Sequence, residues 1–198
     1  MYQIAENFTS AGNHRTVNNR THRYPERQDM AVSIRSASTE DANQLYQMIC
    51  ELARYEKAEH CVKVTAADLE RQLAQDDAPF GCLIAEKDGR TCGFALYFYA
   101  YSTWEGSATI YLEDLYVNPN FRGAGIGAAL MSFLAEIAQQ KGCRRLEWSV
   151  LDWNATAIDF YERLGAKPIA GWTRYRMDAL TIQTFVSNTR TQAPCEVA

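Results

Sequence analysis

The stretch Tyr111-Leu112-Glu113-Asp114-Leu115-Tyr116-Val117-Asn118-Pro119-Asn120-Phe121-Arg122-Gly123-Ala124-Gly125-Ile126-Gly127 decides how this chain is read. It reads as a strand, a short turn, and a glycine-rich loop that opens a helix. Glycines at alternate positions leave backbone N–H groups bare and able to converge. A nest of this kind at a helix N-terminus binds phosphate, because unpaired donors and the positive dipole end face one point. Arg122 adds a charge that forks onto phosphate oxygens. Glu113 and Asp114 precede the loop and, by strand alternation, point to opposite faces. One of them then faces a cleft, and the other packs or pairs elsewhere. A phosphate cradle beside carboxylates points to an enzyme that holds a phosphorylated carrier and acts on something basic.

Outward from this stretch, the pattern alternates between short strands and helices. Val32 to Arg35 reads as a strand, and Ser38-Thr39-Glu40-Asp41 as a helix cap. Leu45, Met48, Ile49 and Leu52 follow at helical spacing. A second short helix starts near Thr65 and carries Leu69 and Leu73. Phe80 to Glu86 and Cys92 to Tyr101 form two strands around the hairpin signal Lys87-Asp88-Gly89-Arg90. Thr109 to Val117 is the next strand. Gly125 to Lys141 is a helix with Leu130, Phe133, Leu134 and Ile137 on one face and Gly142 as its stop. Arg145 to Leu151 is a strand, Asn154 to Leu164 a helix ended by Gly165, and Thr173 to Met177 a last strand. The order implies one α/β domain over 32–180. Residues 1–31 read as a disordered extension, functional or an upstream-start artefact, and 181–198 as a polar tail.

The 198 residues, 47% hydrophobic and 22% charged, suit one globular core. No apolar run is long enough to cross a bilayer, and no basic-then-apolar run opens the chain. The six cysteines, at positions 50, 61, 82, 92, 143 and 195, show neither a CxxC pair nor zinc spacing. Reduced thiols in the cytoplasm are therefore expected. The net charge of −4 argues against nucleic acid as a partner and is compatible with a cationic substrate. His14, His22 and His60 all lie far before the glycine loop, so a His-based triad or a His-ligated metal is not expected.

Each signal has a plainer reading. Gly123, Gly125 and Ala128 also fit the dinucleotide pattern, with Glu147 near the place of a ribose-binding acid. Against this, Asn118 to Arg122 separate the strand from the first glycine, and the chain downstream is too short for repeated βαβ units. Glu113 reads as a base toward an amine or as a solvated or dimer-bridging surface acid. Asn154 reads as an N-cap. Tyr161 reads as a core aromatic or as an acid: a phenol at ~10 and a thiol at ~8.5 are matched well enough for the phenol to protonate a leaving thiolate.

Together, Arg122-Gly123-Ala124-Gly125-Ile126-Gly127 and Asn154…Phe160-Tyr161…Leu164-Gly165-Ala166 resemble the GNAT acetyltransferases. Glu51-Leu52-Ala53-Arg54-Tyr55-Glu56, Tyr101-Ser102-Thr103-Trp104-Glu105-Gly106, Tyr111-Leu112-Glu113-Asp114 and Leu151-Asp152-Trp153-Asn154 look like the spermidine/spermine acetyltransferase branch, most of all its thialysine-acetylating members. The resemblance runs from about Val32 to Asp178. It implies a mixed, mostly antiparallel twisted sheet, helices on both faces, and a central strand pair that splays to admit acetyl-coenzyme A. It assigns Leu115, Tyr116 and Val117 to the pantetheine arm, and Arg122, Gly123, Gly125, Ile126, Gly127 and Ala128 to the pyrophosphate. Asn154 would touch the cofactor, Tyr161 would protonate the thiolate, and Glu113 would accept the amine proton through water. Tyr55, Glu56 and Trp104 would line the substrate cleft. A small-molecule amine as substrate and a homodimer follow from the same likeness; no metal, nucleic acid or membrane partner is expected, on the charge, apolar-run and histidine and cysteine patterns above. Two departures from the branch stand out. Ala170 replaces an acidic residue before Gly171-Trp172, and Glu162 replaces a basic residue after the tyrosine. Both weaken the case for a long polyamine and favour a thialysine-like amino acid or short diamine. A polyamine acetyltransferase and a non-catalytic acyl-CoA-binding regulator remain the alternatives.

Overall fold

Five strands carry the first part of the chain: β1 (Val32–Ser36), β2 (Gly81–Lys87), β3 (Arg90–Ser102), β4 (Ser107–Val117) and β5 (Arg145–Trp148). They form one sheet in the order β1-β2-β3-β4-β5. The first three pairings are antiparallel, and β4 with β5 is parallel. The computed structural model describes residues 32–192, so the extension expected over 1–31 lies outside the described residues. Residue contacts divide the chain after Leu151 into two units.

Local chemistry accounts for the order of the first unit. At the β2–β3 turn Asp88 has φ 52° and Gly89 φ 71°. Two positive values in succession give the hairpin turn whose twist matches its strands. The helices α1 (Ala42–Tyr55) and α2 (Ala66–Leu73) are both entered through capping boxes, at Ser38 and Asp41 and at Thr65 and Asp68. Leu45, Met48 and Leu69 from these helices meet Cys82, Ile84, Phe94 and Tyr116 from the sheet. The residues between those strand positions, Leu83, Ala85 and Ala95, are just as buried. The sheet is therefore covered on its second face too. There α3 (Ile126–Gln140) contacts all five strands and buries Ile126, Leu130, Phe133, Leu134 and Ile137. Each such large apolar side chain contributes about 1.5–3 kcal/mol on burial.

One buried acid in this unit is fully neutralised. Asp41 accepts two hydrogen bonds from the Arg35 guanidinium at 2.7 Å each, and one from the Ser38 N–H at 2.7 Å. Burial alone would push its carboxyl up, but Arg35 and Ser38 hold it below the usual range.

The second unit contains α4 (Ala155–Arg163) and α5 (Ala179–Gln192). Here the sequence expectations need correction. Thr173–Met177 is not a strand, although its residues alternate. Alternation makes a strand only where a ladder partner exists, and none is present among the described residues. The segment after Leu180, expected as a polar tail, carries α5 over its first part. The Asp178 side chain accepts from the Thr181 N–H at 2.7 Å. Thr184, Ser187 and Thr189 turn their hydroxyls back to carbonyls four residues earlier, at 2.9, 2.9 and 2.8 Å. These back-bonds let a hydroxyl-rich segment stay helical. No helix among the described residues is long and apolar enough to cross a membrane.

Candidate active site

Strand β4 has two different edges. It pairs with β3 along its whole length, but with β5 only from Thr109 to Leu112. From Glu113 to Val117 the second edge has no strand partner among the described residues. The Asn118 N–H donates to the Cys92 carbonyl across β3 at 2.9 Å. By alternation Tyr116 also directs its backbone toward β3, while Leu115 and Val117 direct theirs outward. The Val117 carbonyl accepts from Arg122 Nε at 3.0 Å. The backbone groups of Leu115 and the Val117 N–H face outward along the open edge, available to an extended ligand.

The loop that follows is shaped for an anion. Asn118 and Pro119–Phe121 make one tight turn, in which the Asn118 side chain accepts from the Asn120 N–H at 3.0 Å. Gly123 has φ 79° and Gly125 φ 77°, which L side chains rarely adopt. Gly125 caps α3 with no side-chain acceptor. The N–H groups of the first turn, including those of Ile126, Gly127 and Ala128, thus have no intrahelical partner. Arg122, Gly123, Ala124 and Gly125 are exposed. These residues fit a pyrophosphate next to an edge that fits an amide-bearing arm. The Arg122 guanidinium also lies 5.5 Å from the Tyr55 ring centroid, tying the loop to the end of α1.

At the start of the open edge stand the acids. The β3–β4 register shifts between Leu96 and Tyr97: Leu96 pairs with Asp114 and Tyr97 with Leu112. Glu113 is thus the extra residue of a β-bulge. The expectation that Glu113 and Asp114 point to opposite faces fails here, because a bulge sets both residues against one partner. Leu112 lies on the Tyr97 side, and Asp114 on the side of Leu96 and α1. Glu113 is exposed, Asp114 half-buried, and Glu56, the C-cap of α1, half-buried. Burial, followed by the charges of Glu113 and Glu56, pushes the Asp114 carboxyl up to about 6. Burial also raises Glu56. None of the three acids has an ion pair or hydrogen bond among the described residues.

The remaining candidates fall elsewhere. The Tyr116 side chain is 3% exposed, and its hydroxyl donates to Glu51 at 2.5 Å, so it is committed to the fold. Trp104 is 80% exposed in the β3–β4 turn. Ser102, where that turn begins, is roughly 20 Å along β3 from Leu96 at ~3.3 Å per residue. The first unit therefore does not bring Trp104 to the carboxylates. In the second unit Asn154 caps α4 by accepting from the Ala157 N–H at 3.3 Å. Tyr161, in the last turns of α4, has its ring 5.2 Å from that of Phe160. Sequence reasoning missed Asp114 as a member of the acidic group, and missed Glu51 as the partner of Tyr116. Only the cross-strand register shows the first, and the second joins residues far apart in the chain.

Comparison with known proteins agrees with this geometry. The sequence model of the Acetyltransferase (GNAT) family matches residues 42–166. A thialysine N-epsilon-acetyltransferase of Sus scrofa is 40% identical over 159 residues, covering 75% of this chain and 93% of that protein. The human spermidine/spermine N(1)-acetyltransferase-like protein 1 is 36% identical over 155 residues, covering 73% of this chain and 22% of that protein. Among solved structures, an integron cassette protein from the mobile metagenome of V. cholerae superposes with a TM-score of 0.66 at 28% identity, covering 79% of this chain and 98% of that one.

Proposed function

Because the chain belongs to the acetyltransferase (GNAT) family and is an N-acetyltransferase, we propose that its acceptor is the primary amine of a small cationic molecule and its donor acetyl-CoA. The observation that carries this reading is the group Glu56, Glu113 and Asp114. Three carboxylates with no cation paired to them among the described residues stand where the open edge of β4 begins. A substrate ammonium supplies the missing charge.

The chemistry is direct transfer. A primary amine has a pKa of ~10.4, so under about one in a hundred is neutral at pH 7. Glu113 removes the first proton through a water, which makes the nitrogen a nucleophile. An outward N–H of Leu115 or Val117 stabilises the thioester oxygen as negative charge builds on it. Arg122 and the loop N–H groups fix the pyrophosphate, with Gly123, Gly125, Ile126, Gly127 and Ala128 forming the cradle. Tyr161 is the acid toward the departing thiolate, and Asn154 contacts the cofactor; both roles rest on the sequence words in which they occur. Tyr55 and Glu56, at the end of α1, contact the amine; Trp104, expected beside them, stands too far along β3 to share that contact. The same reading takes residues 32–180 as the catalytic domain of a cytoplasmic homodimer, with no metal.

Thialysine-like amino acids or short diamines are the preferred acceptors. Ala170 supplies no carboxylate for the far end of a long polyamine, and each unpaired ammonium drawn into a cleft is costly. A polyamine acetyltransferase is the second reading, favoured by the number of carboxylates gathered at one end. The test is kcat/KM from thiol release with acetyl-CoA and thialysine, lysine, ornithine, putrescine, spermidine or spermine. Spermidine or spermine leading by tenfold, ~1.4 kcal/mol in transition-state binding, would reverse the substrate choice. Acetyl-CoA binding without turnover of any amine would leave a non-catalytic acyl-CoA-binding regulator.

A further inference from the structure

On the acetyl-transfer reading, we propose that Asp114 extends the proton path of the site: it receives and holds the proton that Glu113 collects from the amine, which returns Glu113 to its ionised form beside the substrate. The argument starts from the bulge. Without it, Asp114 would share a face with Leu112 and pack under α3. With it, Asp114 sits opposite Leu96 on the α1 side, next to both Glu113 and the C-cap acid Glu56. One extra residue in β4 thereby converts two strand acids on opposite faces into neighbours.

The second step compares two acids of the same unit. Asp41 is buried and receives Arg35 and Ser38. Asp114 is half-buried and receives no hydrogen bond and no ion pair among the described residues. The groups that press on it are Glu113 on its own strand and Glu56 from α1; the Cys82 thiol from β2, kept neutral by burial, feels the charges of Asp41 and Asp114 in turn. None of these neutralises it. A fold that builds a complete partner set for one acid and none for the other has left the second free to exchange a proton.

The titration agrees with the geometry. With its carboxyl at about 6 in place of 3.8, Asp114 is mostly ionised at neutral pH yet binds a proton about a hundredfold more tightly than an exposed aspartate. It is thus ready to accept and able to hold. The proton count closes. Over one turnover the amine nitrogen loses two protons and gains one bond to the acetyl carbon, as the carbon–sulfur bond breaks. One proton ends on the thiol, by way of Tyr161. The other passes from nitrogen through water to Glu113, then to Asp114, and leaves to solvent.

The test has two readouts. In the free protein, an infrared titration follows the carbonyl band of protonated carboxyl groups. The parent should show a component titrating near pH 6, and Asp114→Asn should lack it. In steady-state kinetics with the best amine of the panel, the parent kcat/KM should fall on the acid side with that same midpoint. Asp114→Asn should lose this limb and about a hundredfold in kcat, with acetyl-CoA affinity unchanged. Glu113→Gln should lower kcat and move the acid side of the profile to higher pH, because the path to Asp114 is cut and more of the amine must arrive already neutral. No band near pH 6 overturns the proposal. So does an Asp114→Asn pH profile that superimposes on the parent, or an Asp114→Asn loss confined to the amine KM. A parent that shows the band but acetylates no amine overturns the functional reading instead, and the relay with it, leaving Asp114 only as a titrating group.

Discussion

Replacing Asp114 by Asn should make the protein more stable at neutral pH, and the size of the gain follows from the site. The carboxyl ionises at about 6 in the folded chain and at 3.8 when exposed. The folded state therefore binds the proton more tightly than the unfolded state. At pH 3 both states hold the proton and nothing is lost. Between about pH 4 and pH 6 the unfolded chain releases it first, so stability falls as pH rises through this window. Above pH 6 the full loss is present. A difference of about two decades in proton affinity at ~1.4 kcal/mol each amounts to about 3 kcal/mol. Asn keeps the shape and removes the charge, so Asp114→Asn should gain up to this amount at pH 8 and nothing at pH 3. For a chain of this size the gain corresponds to roughly 6–12 °C in Tm. Thermal unfolding of both proteins from pH 3 to pH 8 is the measurement. Parallel Tm curves, or an Asp114→Asn protein less stable at pH 8, would show that Asp114 is not held ionised at a cost.

Three further outcomes are expected. Tyr161→Phe should lower kcat by tenfold or more with little change in acetyl-CoA affinity, and unchanged turnover with chemistry rate-limiting would remove its role as acid. Gly125→Val should abolish acetyl-CoA binding by calorimetry, because a branched side chain resists the φ of 77° and blocks approach to the N–H groups; normal binding by the folded variant would mean the loop is not the phosphate site. In Gly93→Ala the new Cβ would stand 2.6 Å from the Tyr116 carbonyl, so β4 must shift. A cost of about 1–3 kcal/mol in urea unfolding and a weaker hold on acetyl-CoA should appear together; a silent substitution would show that the open edge tolerates displacement.

The sequence shows the regular parts of this molecule and misses the places where regularity breaks. Lys87-Asp88-Gly89-Arg90 announces its hairpin because positive φ at two positions is a local demand. The helix after Gly125 and its buried face, Leu130, Phe133, Leu134 and Ile137, are legible from spacing alone. The phosphate loop is legible because alternate glycines have few other uses. The bulge at Glu113 has no such signal: it is a relation between β4 and β3, and strand alternation assumes that relation is unbroken. The same holds for Thr173–Met177, where alternation is present and no partner strand stands among the described residues. The acidic group joins the C-cap of α1 to the bulge of β4, so no local window contains it. Tyr116 looks like a site residue by position, and only the packed structure shows its hydroxyl given to Glu51.

The antiparallel strands β2, β3 and β4 follow one another through two short turns and need only neighbouring chain to pair. The parallel partner β5 arrives last, after the whole of α3 has crossed the sheet. The loop from Asn118 to Gly125 is the joint between these two parts of the folding problem. A ligand seated on the open edge of β4 and on the first turn of α3 grips both parts at once. Such a ligand has little to hold until the crossover has docked, so it stabilises the native state without helping to reach it. Its effect should fall on the rate of unfolding, leaving the rate of folding almost untouched.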